Sequence, residues 1–399
     1  MRLKKRLALA LVVIFLVTIV AAGCGQKAGT GDQANNEPAK EETIKIGLNY
    51  ELSGGVATFG TNTVNAILLA FDEINANGGV LGKKIEPIKQ DNKSENAEST
   101  NVATKLVGEK VVAIIGAATT GNTLAAEPVV TSNKIPMLTT SATNPKVTVD
   151  PATGKVRDFV FRTCFIDPPQ GIVGADFAFN TLKAKTAVLF KDTNNDYSKG
   201  LADNFKQAFE KLGGKVVAEE GYLEKDTDFK AALTKIKNKK PDVIYVPGYY
   251  AEVGLIVKQG RDLGITAAFL GADGWDSPEL VSTAGPANLK NTFFTNHYSS
   301  QDPDPAIQKF VEAYKAKYGA VPDGFAALGY DAAYLIADAI TRAGAADPEK
   351  IKDALAQTKD FPAVTGMLTY DEFHNPIKQI AIIEMVDGKQ VLKTKIAPK

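Results

Sequence analysis

Residues 111–140 read VVAIIGAATTGNTLAAEPVVTSNKIPMLTT, and the order of residue types in this stretch decides the fold class. Val111–Ile115 is a short, wholly apolar run, which fits a strand buried on both faces. Gly116–Gly121 (GAATTG) is a turn of small and hydroxyl side chains, and a helix is expected near Asn122–Asn133. Ile135–Leu138 is a second buried strand, followed by the hydroxyl-rich Thr139–Thr143. Strand, turn, helix and strand in about thirty residues is the unit of a parallel sheet with helices on its faces.

The same alternation extends in both directions. Toward the N-terminus, Thr43–Tyr50 and Lys84–Asp91 read as strands. A helix from Gly60 to about Asn77 carries Val64, Ile67, Leu68, Phe71 and Ile74 on one face, and Asn77-Gly78-Gly79 ends it. A further helix is expected over Glu95–Val107. Toward the C-terminus an irregular stretch, Ser141–Asp158, precedes strands at Thr186–Phe190, Val216–Ala218, Val243–Val246 and Ala268–Leu270. Helices at Ser198–Leu212, Phe229–Lys237 and Tyr250–Leu263 separate these strands. Helices at Ala306–Tyr318 and Phe325–Ala343 follow, then three closing strands around Leu368, Ile380–Met385 and Val391–Ile396. The fold class is α/β, with two doubly wound, Rossmann-like lobes. Ligands of open α/β sheets bind beyond the carboxyl ends of the strands, so two such lobes facing each other make a cleft.

The first residues stand apart from this core. Arg2, Lys4, Lys5 and Arg6 precede an apolar run of about 14 residues, Leu7–Val20, and then Ala21, Ala22 and Gly23. That run is short of the roughly 20 residues that span hydrocarbon as a helix. A basic start, a short apolar core and small residues read as an export signal over residues 1–23. Cys24 follows directly and resembles the acylated cysteine of a bacterial lipobox, which implies an extracytoplasmic, lipid-anchored protein. Residues 24–42 lack any large apolar side chain and read as a flexible tether, with a reach of roughly 20–25 Å.

Charge and composition exclude several function classes. Without the leader's four cations the 46 basic residues become 42 against 46 acidic ones, a net of −4. No basic stripe exists to hold a nucleic acid. Cys164 is the only cysteine besides Cys24, so the fold rests on hydrophobic cores rather than on a disulfide. His297 and His374 are the only histidines and stand in no metal-ligand spacing; both read as packing residues. No nucleophile elbow, P-loop or dinucleotide fingerprint is present, so neither an enzyme nor a cofactor is expected. Asp192, Asn194, Asp196 and Asp203 fall at calcium-loop offsets, but Tyr197 occupies the turn position that calls for glycine.

What remains is four polar clusters, each just beyond a predicted strand: Gly116–Gly121, Thr139–Thr143, Pro247–Tyr250 and Gly271–Trp275. Each alone is an ordinary set of helix caps and turns. Together they mark equivalent edges of two sheets, and their chemistry divides by half. The first half offers hydroxyls and helix N-terminal amides, which suit a carboxylate. The second offers Asp273 and Tyr249, which suit an ammonium. A zwitterion held across a cleft uses both, with Phe59, Tyr197, Trp275 and Phe325 as apolar walls.

From about Thr43 to the C-terminus the chain resembles the type I periplasmic binding proteins for leucine, isoleucine and valine. The resemblance is carried by SGGVATFG (53–60), INANGGVLG (74–82), IIGAATTGNT (114–123), PMLTTSATNP (136–145), KDTNNDYSKGLA (191–202), YVPGYYAEVG (245–254) and GADGWDSPEL (271–280). It implies that Thr120 and Thr143 contact the ligand carboxylate. Ser141 then offers its carbonyl to the ammonium, with Asp273 as counter-ion and Tyr249 beside it. Phe59, Ala118, Tyr197, Trp275 and Phe325 line the side-chain pocket. Thr119, also at the site, stands where some relatives have a disulfide-bonded cysteine, and Asp273 where some have Glu.

The resemblance further implies three chain crossings between lobes, near Thr163–Asp167, Tyr298–Pro303 and Tyr370–Asn375. Lobe 1 is then 43–165 plus 300–371, and lobe 2 is 166–299 plus 372–399. Pro303 and Pro305 suit an extended crossing. The implied function is capture of a branched-chain or other small apolar amino acid for the permease of an ABC importer, by a monomer closing about its hinge. An aromatic acid, an amide or a γ-amino acid as cargo, or a sensory role reporting to a receptor, fits the same pattern.

Overall fold

A computed structural model describes residues 42–397. The export signal, Cys24 and the tether up to residue 41 lie outside the described residues. The first lobe is built on a five-stranded sheet. Its strands are β1 (Ile44–Tyr50), β2 (Ile85–Asp91), β3 (Ala113–Gly116), β4 (Met137–Thr139) and β5 (Val160–Arg162), all parallel in the order β2-β1-β3-β4-β5. Every residue of β3, β4 and β5 is buried, which is why these segments read as apolar runs without alternation. Helices α1 (Ala57–Ala76), α2 (Asn96–Gly108) and α3 (Thr120–Ser132) connect the strands. The stripe on α1 is the expected one: Val64, Ile67, Phe71 and Ile74 are buried against the sheet, with Leu68 at the margin.

After β5 the chain passes through α4 (Asp167–Asp176) into the second sheet. Its parallel part holds β6 (Thr186–Asp192), β7 (Lys215–Tyr222), β8 (Val243–Tyr245), β9 (Ala268–Gly271) and β10 (Thr292–Asn296) in the order β7-β6-β8-β9-β10. Helices α5 (Asp196–Lys211), α6 (Lys230–Lys239), α7 (Tyr250–Asp262) and α8 (Pro278–Ala284) join them. The two sheets therefore repeat one winding, each reversing strand order beside its first strand. The chain then leaves the second sheet and lays α9 (Pro305–Tyr318) and α10 (Gly324–Ala343) against α1, with α11 (Pro348–Ala356) on α10. It returns as β11 (Ile380–Val386) and β12 (Lys389–Ile396), both antiparallel, which extend the second sheet to seven strands.

Several sequence expectations are corrected here. Leu368 belongs to no strand; it makes only an isolated bridge with Phe361. Strands β5 and β10 and helices α4, α8 and α11 are not read from the sequence. They are three to ten residues long, too short for a period to register. Pro305 does not extend the crossing but opens α9 at its first turn, where a missing N–H costs nothing, with Asp304 as the cap.

Candidate functional site

The site forms where the carboxyl ends of both parallel sheets face each other. On the first lobe, β1 is followed directly by Glu51, a fully buried carboxylate that sequence reasoning missed. Its oxygens accept the backbone N–H of Ala118 at 3.1 Å and of Thr119 at 3.0 Å. They also accept the Thr119 hydroxyl at 3.0 Å and the Asn122 amide at 2.8 Å. Four neutral donors around one carboxylate fix the turn that opens α3. The N–H groups of Ala118 and Thr119, just ahead of the helix, are thus committed to Glu51. The N–H groups of Thr120 and Gly121 have no carbonyl within the helix to donate to. Thr120 Oγ1 is buried and unpartnered. A residue directly after a strand that flanks the order reversal is the signal that would have found Glu51.

The neighbouring turns are tied to the same frame. Ser141 donates its hydroxyl to the Ala118 carbonyl at 2.8 Å, and Thr139 donates to the Ala117 carbonyl at 2.6 Å. Gly60 lets α1 start against β1: a Cβ there would stand 2.1 Å from the Glu51 carbonyl. That close approach swings Phe59 over the cleft, where it stacks on Phe325 at 3.9 Å and meets Tyr249 edge-on at 5.7 Å.

On the second lobe, β9 ends in Gly271 and a single 3₁₀ turn, Asp273–Trp275, follows. Asp273 is 2 % exposed and has three side-chain partners. Its Oδ1 accepts Gln170 Nε2 at 2.8 Å and the Tyr197 hydroxyl at 2.8 Å, while its Oδ2 meets His297 Nε2 at 3.0 Å. Neither Gln170 nor His297 was singled out as a site residue, because each depends on an element, α4 or β10, that the sequence did not reveal. Once β10 is known, His297 stands just beyond its carboxyl end, as Asp273 does beyond β9. Tyr197 also accepts the Gly274 N–H at 2.9 Å and stacks on Tyr249 at 5.2 Å. Burial pushes both phenols well above their ordinary range, so both stay protonated.

The cavity between these groups is lined by Phe59, Ala118, Thr119, Thr120, Ser141, Tyr197, Tyr249, Asp273, Gly274 and Phe325. The side chains leave a cavity of only about 10 Å³ between them, room for about one water molecule. Nine of the eleven residues expected at the site thus line one cavity, and Thr143 and Trp275 do not join them. Trp275 is fully buried, donates its indole N–H to the Val246 carbonyl at 2.9 Å and packs on the face of Gly271. The cause is helical: in a turn of three residues, pointing Asp273 at the cleft points Trp275 elsewhere. Thr143 lies behind the wall with an unpartnered buried hydroxyl, and its carbonyl accepts the Asp167 N–H at 3.0 Å.

Contacts between the lobes close the cleft. The Thr58 N–H and hydroxyl reach the Tyr250 oxygen at 3.3 and 3.0 Å, Asn144 donates to the Asp196 carbonyl at 2.9 Å, and Lys225 pairs with Glu95 at 2.8 Å.

A family model described as periplasmic binding protein matches residues 43–390. The chain belongs to the periplasmic binding protein family. A relative in Pseudomonas aeruginosa, the leucine-, isoleucine-, valine-, threonine- and alanine-binding protein, is 32% identical over 83% of this chain and 86% of its own. Among solved structures, the branched-chain amino acid transporter substrate-binding protein LivJ of Streptococcus pneumoniae, in complex with isoleucine, is 41% identical. It covers 89% of this chain and 99% of its own, with a TM-score of 0.83. The leucine-binding protein LivK of Thermotoga maritima is 39% identical over 89% of this chain and 99% of its own, with a TM-score of 0.84. The family's members are binding proteins rather than enzymes, and so is this chain.

Proposed function

We propose that this chain captures a small aliphatic amino acid outside the cytoplasm and presents it to the permease of an ABC importer. One observation carries the reading: an unpartnered buried hydroxyl, Thr120, and a carboxylate with a free lone pair, Asp273, line the same aromatic-walled cavity from opposite lobes. A zwitterion offers a carboxylate to the first and an ammonium to the second, and the names of the relatives agree with that chemistry. Ligand enters with the lobes apart. Closure excludes water and strengthens each charge-assisted bond, and only contacts made in the closed form shift the balance toward it.

The first lobe takes the carboxylate on Thr120 and the free N–H groups that open α3, with Thr143 supporting from behind. The Ser141 carbonyl, Asp273 and Tyr249 take the ammonium. Phe59, Phe325 and Tyr197 bound the side chain, with Ala118 and Thr119 on the floor. The moving bodies divide near the three crossings, with acylated Cys24 and the tether holding a monomer at the membrane.

A thermal-shift panel of the twenty amino acids with benzoate and γ-aminobutyrate tests the cargo: leucine, isoleucine or valine should raise the melting temperature most. Preference for arginine, or for an acid without an ammonium, defeats the assignment. Small-angle scattering should show a smaller radius of gyration on binding, and an unchanged radius with a tight ligand removes the closing mechanism. Cys24→Ser should abolish lipid labelling in the native host.

A further inference from the structure

We infer that His297 is a positioning residue that prepares Asp273 for a cationic group while leaving the carboxylate's charge intact. The inference rests on the amino-acid reading of the cleft and deepens it. A buried carboxylate has to be hydrogen-bonded, yet a counter-ion needs uncancelled charge, and these demands conflict unless every protein partner is a neutral donor. Gln170 supplies an amide N–H and Tyr197 a protonated hydroxyl. His297 supplies the third donor, at Nε2.

The surroundings of the imidazole select that form. Its Nδ1 is buried and no protein group accepts a hydrogen from it, so a hydrogen there would be a donor without a protein partner. The tautomer with its hydrogen on Nε2 leaves no such debt, and it points that hydrogen at Asp273. The ring is held in this orientation by Phe165, stacked on it at 3.9 Å. Asp276, the other carboxyl in electrostatic reach of His297, accepts the Asn296 amide and the Gly324 N–H on Oδ2, both at 2.7 Å, and the Gln390 amide on Oδ1 at 2.6 Å.

The count of lone pairs then sets what the cleft sees. Gln170 and Tyr197 fill Oδ1. His297 takes one of the two sites on Oδ2 and leaves one for the ligand. Gln170 is itself fixed, its second N–H going to the Thr295 hydroxyl at 2.9 Å. A side chain one methylene shorter than Glu is thus held rigidly with a single acceptor site open. Discrimination between –NH₃⁺ and –OH on the ligand should depend on His297, although His297 does not line this cavity.

Two measurements test this on the chain from residue 42 onward, which forms one compact unit. The first is nitrogen-15 NMR of the ligand-free protein near neutral pH, where only two histidines contribute. His297 should show its hydrogen on Nε2. His374, whose Nδ1 lies 2.9 Å from the Val160 carbonyl, should show the opposite tautomer. A His297 ring protonated on both nitrogens, or on Nδ1 alone, overturns the inference.

The second compares leucine with its 2-hydroxy analogue, which replaces the ammonium by a hydroxyl. The wild-type ratio of dissociation constants should fall about tenfold or more in His297→Leu and in His297→Asn, whose amide is too short to reach. It should largely return in His297→Gln, whose amide is placed like Nε2. A purely structural role weakens both ligands equally, so an unchanged ratio in whichever shortened variant folds also overturns it. A wild-type protein that binds neither compound is the separate failure of the amino-acid reading, visible before any variant is made.

Discussion

Asp273 is where a binding role and a structural role meet in one residue. Asp273→Asn removes the charge that an ammonium needs, and losing one partner of a buried charge pair costs roughly 2–5 kcal/mol, or about 30-fold to several thousand-fold in affinity. The same change places an N–H against one of three donors, so stability should also fall, by about 1–3 kcal/mol. Calorimetry and urea denaturation on the one variant measure both, and intact affinity with lowered stability would reduce Asp273 to a turn residue. Glu51 should behave oppositely. Glu51→Gln turns one acceptor into a donor facing Ala118 or Thr119, which should cost about 1–3 kcal/mol of stability even without ligand. Affinity should follow only as far as Thr120 is displaced. Unchanged denaturation of Glu51→Gln would mean that the α3 turn holds itself.

At the scale of elements, the start of each helix does the positioning. Helix α3 opens under Glu51, α1 opens against the Glu51 carbonyl at Gly60, and α10 opens on Asp276 from the second lobe, which accepts the Gly324 N–H at 2.7 Å. Helix α7 begins with Tyr250, whose hydroxyl reaches across to Thr58. Tyr250→Phe keeps the ring beside Phe59 and removes only this bridge. A net hydrogen bond is worth about 0.5–1.5 kcal/mol, so ligand affinity should weaken by about 2- to 13-fold with unfolding in the absence of ligand little changed. A large loss of ligand-free stability would show instead that the bridge persists when the lobes part.

For the whole molecule, buried carboxyls couple stability to pH. Burial pushes Asp167 up from 3.8 to about 8, with the Asp273 charge adding to it and the Arg162 guanidinium opposing it. Burial, reinforced by Asp276, likewise takes Asp323 to about 8. Between about pH 4 and 8 the folded protein holds protons that the unfolded chain has released, so the slope of stability with pH is negative. Their contribution is complete below the ordinary carboxylate range and is lost as pH rises through about 8. Urea midpoints should therefore fall from pH 5 to pH 8.5, and Asp167→Asn should flatten part of that fall. A variant with the wild-type slope would leave Asp167 ionised throughout.

Periodicity and apolar runs alone determined the two doubly wound lobes, because buried parallel strands and amphipathic helices write their environment into consecutive residues. The same logic located the four turns beyond the strand ends, and with them six of the expected residues that line the cavity, Ala118, Thr119, Thr120, Ser141, Tyr249 and Asp273. Tertiary structure alone decided how those residues are used. Whether Trp275 faces the cleft depends on the phase of one short turn. Whether the amides opening α3 are free depends on Glu51, 67 residues earlier. Whether Asp273 has partners depends on Gln170 and His297, brought to it by α4 and β10, elements too short to leave a period. Donor and acceptor pairing between distant segments is set by where chains cross in space, and no local pattern of side chains records it.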